Sequence, residues 1–99
     1  MVNDLVVDLS RAQFAATALY LAGDWAGAAR EFIAAAERSA LNLPYILPKA
    51  GRAAVLARDP DTASAVLERL HRHGARGRAI GADKAVIAAG LRALAGESA

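Results

Sequence analysis

The densest chemistry in the chain is cationic. Between Arg69 and Arg78 stand four arginines, two histidines and no acid. Guanidinium groups neutralise phosphates, so Arg69, Arg72, Arg76 and Arg78 are the candidates for nucleic-acid or anion binding, a contact that would weaken steeply with salt. Two features favour a plain solvated face instead. No aromatic residue interleaves to stack a base. The whole chain, with 12 basic and 10 acidic residues, has a net charge of only +2, which is low for a dedicated nucleic-acid binder. Gly74, Gly77 and Gly81 lie close to Arg76 and Arg78 and suggest an anion-binding turn at a helix start. Their spacing fits neither G-x-x-x-x-G-K-[ST] nor G-x-G-x-x-G, and a linker between two helices calls for the same glycines.

Other chemistry is scarcer. His71 and His73 diverge on a helix and cannot grip one metal ion from one face. With no cysteine and no third histidine, no metal site is expected. The absence of cysteine also removes a disulfide scaffold and a thiol nucleophile. Ser10, Ser39, Ser64 and Ser98 sit in no nucleophile elbow of the G-x-S-x-G type. Glu31 with Glu37, and Asp59 with Asp61, are accounted for by solvation and helix capping. The expectation is a protein without catalytic residues and without a cofactor.

The elements that carry these residues read as helices. From Leu5 to Ala22 the larger apolar residues are Leu5, Val6, Leu9, Phe14, Leu19 and Leu21, with alanines between them and no proline, which predicts a first helix. Gly23 suits the left-handed position that ends a helix, and Asp24 can cap the next. That second helix is expected from Trp25 to about Ser39, with Trp25, Ala28, Ala29, Phe32, Ile33 and Ala36 on its apolar stripe. Pro44 suits a first turn. Pro48 would remove a hydrogen bond or kink the helix, so the regular third helix is expected from about Leu47 to Ala57. Asp59-Pro60-Asp61 combines a cap, a proline at the first helical position and an acid near the positive helix end. It opens a fourth helix, to about Arg72, with Ala63, Val66, Leu67 and Leu70 inward. A fifth helix is expected over Arg78 to Ala95, with Ile80, Ile87, Leu91 and Leu94 on one face and a frayed tail from Gly96. Hydrophobic residues make up 56% of the chain, yet it holds only one Trp, two Tyr and two Phe, so the core should be shallow and alanine-rich.

Shifting the sequence by 35 residues superposes two of these helix pairs: Ala15 on Ala50, Ala18 on Ala53, Leu21-Ala22 on Leu56-Ala57, Asp24 on Asp59, Ala28 on Ala63 and Phe32 on Leu67. One helical hairpin cannot bury its apolar face alone, so hairpins stack in series. Leu19-Tyr20-Leu21-Ala22-Gly23-Asp24-Trp25, followed by Ala28 and Phe32, resembles the middle of a tetratricopeptide repeat, where a Gly-Asp-aromatic turn joins two helices. The second copy keeps Gly51, Asp59, Ala63 and Leu67 but has Arg58 in place of the turn glycine, and the proline that often closes the motif is missing from the first copy. The resemblance implies an all-α fold of about five helices. Antiparallel hairpins over about 5–39 and 44–73 and a capping helix over about 78–95 would stack as a short right-handed solenoid in one domain. It further implies that the first helix of each hairpin lines a concave, ligand-binding face. The matching positions are Gln13, Thr17 and Tyr20, and Tyr45, Lys49 and Arg52; spacings of three and four residues put each set on one stripe. Such a groove would hold an acidic or carboxyl-terminal peptide segment. The family's carboxylate-clamp residues are not recognisable here.

Stretches of the second half, Ala50 to Asp59 and Gly74 to Ile80 with Ala82-Asp83 and Ala89-Gly90-Leu91, also resemble the helical-repeat tails of large bacterial signalling proteins, including nucleotide cyclases with an ATPase-like middle region. That resemblance implies a carboxy-terminal piece of a multidomain regulator. Met1 to Leu9 lacks the basic start and apolar run of a signal peptide, and no apolar stretch reaches the ~20 residues that span a bilayer. A cytoplasmic location is expected, with no membrane contact. The expected partner is a protein or peptide, or a second copy forming a homodimer; the alternatives are nucleic acid or another anion at the basic cluster, and a purely structural cap. The core is expected to depend on Ala28, Phe32, Leu56, Ala63 and Leu67.

Overall fold

Asp24 and Asp59 organise the chain. Each accepts a hydrogen bond from a backbone N–H three residues on, Asp24 from Gly27 at 3.0 Å and Asp59 from Thr62 at 3.2 Å, and so caps the helix that follows it. The helix before each ends in the same turn. Gly23 N–H donates to the Tyr20 carbonyl and Asp24 N–H to that of Leu19; 35 residues on, Arg58 donates to Val55 and Asp59 to Ala54. This pair of reverse bonds closes a helix when the residue between them is left-handed. Gly23 has φ +85° and Arg58 has φ +57°. Arg58 therefore takes the glycine conformation and bears its steric cost, because the surrounding bonds leave it no other.

The computed structural model describes the backbone of residues 2–74 and 78–98 and the side chains of residues 9–74 and 79–97. Among the described residues the fold is all-α: α1 (Val2–Leu21), α2 (Trp25–Glu37), α3 (Leu43–Leu56), α4 (Pro60–His73) and α5 (Arg78–Ser98), with no strand. Gly74, at φ +72°, ends α4. α1 packs on α2, α2 on α3, α3 on both α4 and α5, and α4 on α5. α3 is thus the central helix.

α1 begins at Val2, three residues before the expected Leu5, and two further boundaries differ from expectation. α3 begins at Leu43 rather than Leu47 and holds Pro48 inside it. A proline within a helix costs about 3 kcal/mol, but here Pro48 is fully buried beside Leu47 and Ile46. Burying such side chains returns ~1.5–3 kcal/mol each. The first turn is also anchored from outside, by bonds from Leu43 N–H to the Ser39 carbonyl and from Ile46 N–H to that of Asn42. α5 runs through Gly96 and Glu97 to Ser98, where a frayed tail was expected; the Glu97 carboxylate is engaged by Arg58.

The core is built of small residues, as the composition demanded. Ala16, Ala28, Ala35, Ala36, Ala50, Ala53, Ala54 and Ala63 are wholly buried around Phe32, Leu47, Val66, Leu70 and Ile87. Of the five expected core positions, Ala28, Phe32 and Ala63 are buried and Leu67 is half-buried against them. Leu56 is not a core residue; it is 42% exposed. Its match under the 35-residue shift, Leu21, is 80% exposed. The two are equivalent, but they share an outward position rather than an inward one.

α5 approaches α3 closely. A Cβ on Gly51 would lie 2.5 Å from the Ile87 Cδ1, and one on Gly90 would lie 2.6 Å from a Val55 methyl. Each helix thus offers a glycine to receive a branched side chain of the other.

Candidate functional site

The stripes on α1 and α3 meet. Thr17 and Tyr20 from α1, Phe32 from α2, and Lys49 and Arg52 from α3 line an open pocket of about 320 Å³. Gln13 joins it through its side-chain carbonyl, which accepts a hydrogen bond from the Lys49 ammonium at 3.1 Å. The same ammonium lies 5.9 Å from the centroid of the Phe32 ring, within reach of a cation–π attraction. The buried ring forms the floor and Lys49 sits over it. Arg52 is turned the other way, pairing with Asp83 of α5. Tyr45 lies one turn before Lys49 on α3, is exposed, and does not line the pocket. Five of the six expected groove residues therefore come together, and Tyr45 stands outside them.

The pocket continues. A second cleft of about 260 Å³ shares Tyr20 and Arg52 with the first and is walled by Val55, Leu56, Val86 and Gly90. A third, of about 210 Å³, shares Val55, Leu56 and Gly90 with the second and extends to Leu94 and Glu97. The shared walls make one groove that starts between α1 and α3 and runs on between α3 and α5. Its first part is cationic over an aromatic floor; its second part is aliphatic. The ion pairs Arg52–Asp83 and Arg58–Glu97 stand along the α3–α5 part.

Several of these residues escaped the sequence reading. Leu56 continues the stripe Tyr45, Lys49, Arg52 by one further turn, so the spacing marks it as a groove residue, although it is expected in the core. Phe32 was assigned to the core alone, and it is also the floor. Asp83, Val86 and Gly90 belong to the groove only because α5 docks on α3, and no spacing within α5 announces that.

Two arginines of the basic cluster have acidic neighbours. Arg69 faces Glu37 at 3.4 Å and Arg72 faces Glu68 at 3.8 Å. Arg69 and Arg72 line a shallow depression with Leu43 and His73. Arg76 and the Arg78 side chain lie outside the described residues, as does Gly77. His71 and His73 are exposed in the last turn of α4, where positive charge complements the helix dipole. Among the described residues no group of three or more His, Asp or Glu side chains is placed to hold a metal ion, and no helix is long and apolar enough to cross a membrane. No family model matches the chain, and no curated protein or solved structure shows significant similarity to it.

Proposed function

We propose that the chain is a non-enzymatic protein-interaction module, a short right-handed stack of antiparallel tetratricopeptide-like hairpins with α5 as the last helix. Its groove receives a peptide segment of a partner protein in which an acidic side chain is followed by aliphatic ones. The continuity of the groove carries this reading. The acid would meet Lys49 over Phe32, and the aliphatic side chains would follow Val55, Leu56 and Val86. The hairpin reading is supported by the repetition of one turn, hydrogen bond for hydrogen bond, 35 residues apart. The resemblance to bacterial regulator tails would make this one module of a longer cytoplasmic protein.

Two labelled peptides of equal length test the reading, one with an acid before a Leu/Val run and one with lysine in its place, each titrated into isotope-labelled protein. The acidic peptide is expected to shift the amide resonances of Tyr20, Lys49, Val55 and Gly90. Lys49→Glu is expected to weaken it about tenfold, the loss of roughly 1.4 kcal/mol. Equal binding of both peptides, or shifts scattered away from the groove, would remove this proposal.

A further inference from the structure

The groove changes character at one ion pair. Arg52 of α3 lines both the cationic first part and the aliphatic second part, and Asp83 of α5 engages its guanidinium. The Asp83 side chain is 20% exposed and that of Arg52 46%, so the carboxylate is the more covered partner and the arginine the one left open to the groove. Asp83, Val86 and Gly90 follow one another on α5 at spacings of three and four residues, which puts them on one side of that helix. Val86 and Gly90 are groove wall. Asp83 therefore opens the α5 wall where the charged part of the groove ends.

The charges along the groove are unequally matched. The cations that line it are Lys49, Arg52 and Arg58. α5 supplies a carboxylate to each arginine, Asp83 to Arg52 and Glu97 to Arg58. Lys49 has a neutral partner, the Gln13 amide, and belongs to none of the ion pairs among the described residues. Among the described residues the groove thus offers one uncompensated positive charge, at one end.

We propose that Asp83 is a specificity-determining residue of this groove: by engaging Arg52 it restricts the groove to a segment with a single acid, seated at Lys49, and turns away a second acid two residues further on. This role rests on the groove receiving a peptide. Lys49 and Arg52 are separated by a rise of ~4.5 Å along α3. A segment extended along α3 brings alternate side chains to one side every ~6.6 Å, so the side chain two positions after the acid comes opposite Arg52. A carboxylate there meets Asp83 as well as Arg52. Attraction and repulsion offset each other, and the carboxylate gives up water without a partner. A neutral side chain carries no such cost and leads on to Val55 and Val86. Were Asp83 uncharged, the same carboxylate would find a free guanidinium, whose fork of N–H donors matches it.

Two labelled peptides that differ in one group test this role. Each carries an acid, any residue, then Gln or Glu, then a Leu/Val run, so that size is held and charge alone changes. The native protein is expected to bind the Gln peptide at least as tightly as the Glu peptide. Asp83→Asn is expected to favour the Glu peptide about threefold, the scale of an exposed charge pair, and high salt to erase that preference. Arg52→Gln combined with Asp83→Asn is expected to remove it too, which a merely structural role for Asp83 would not do. Amide protection over α5 is expected to persist in both variants. A native protein that prefers the Glu peptide, an Asp83→Asn variant that gives the Glu peptide no gain, or a gain that survives Arg52→Gln overturns the role of Asp83 while the groove reading stands. If neither peptide shifts the resonances of Tyr20, Lys49 and Gly90, the groove is not a peptide site and the role of Asp83 falls with it.

Discussion

Arg58 shows what one residue can be made to do. It holds a left-handed conformation that costs a side-chain-bearing residue about 1–2 kcal/mol, in a turn where the other copy has Gly23. Arg58→Gly is therefore expected to raise stability by roughly 0.5–1 kcal/mol, read as a higher urea midpoint. The lost pair with Glu97 takes little back, because exposed ion pairs are worth only about 0–1 kcal/mol. The two capping aspartates are the converse case. Asp24→Ala and Asp59→Ala are each expected to cost about 1 kcal/mol. Asp59 adds a pH signature. Hydrogen bonds from the Thr62 hydroxyl and then the Thr62 backbone hold its carboxyl below the ordinary 3.8, with burial opposing them weakly. A depressed folded pKa adds stability above the unfolded value and loses it as pH falls through the folded one. The stability gap between the native protein and Asp59→Asn should thus be full at pH 6 and close progressively below about pH 3.8, the ordinary value. A gap unchanged at pH 2 would show that the charge on Asp59 contributes nothing.

At the scale of elements, α3 sets the arrangement. It tolerates Pro48 because tertiary burial outweighs a local preference, and it meets α5 through Gly51 and Gly90, where a Cβ would strike Ile87 or Val55. Gly90→Val is expected to lower stability by about 1–3 kcal/mol, the usual cost of overpacking, in a thermal melt that stays cooperative. Ala28 sits deeper. It is wholly buried where α2 meets its neighbours, and Ala28→Trp is expected to abolish the cooperative melt by overpacking the core. A native-like transition in that variant would show that the α2 contact surface is looser than its burial implies.

For the molecule as a whole, the question is what holds α5 in place, since it forms one wall of the groove. The ion pairs Arg52–Asp83 and Arg58–Glu97 are partly or largely exposed, and exposed pairs contribute only about 0–1 kcal/mol. Ile87 is wholly buried against Gly51, and removing such a side chain costs about 2–5 kcal/mol. Packing therefore dominates. Ile87→Ala is expected to loosen α5, seen as loss of amide protection over α5 before the rest of the fold. Asp83→Ala with Glu97→Ala should leave that protection nearly intact. The groove residues sit on the walls this packing creates, so a partner that inserts aliphatic side chains beside Val55 and Val86 would read the docking of α5 as much as the charge of Lys49.

The sequence by itself determined the elements and the turns between them. Helical periodicity, two capping aspartates and Gly23 encode local geometry through bonds made within a few residues, and the 35-residue repeat carried that geometry from one turn to the next. It also placed Gln13, Thr17 and Tyr20 on one stripe and Lys49 and Arg52 on another, because three- and four-residue spacing settles which side of a helix a residue occupies; that the two stripes share a groove was implied by the repeat resemblance alone. Only the tertiary structure decided which side faces inward. In an alanine-rich chain nearly every helix face is apolar enough to be buried, so Leu56 read as core when it is groove wall, and Pro48 read as a break when burial holds it in the helix. The fit of Ile87 and Val55 into facing glycines and the engagement of Arg52 by Asp83 depend on side chains from distant segments meeting in space, and short-range sequence patterns carry no record of those meetings.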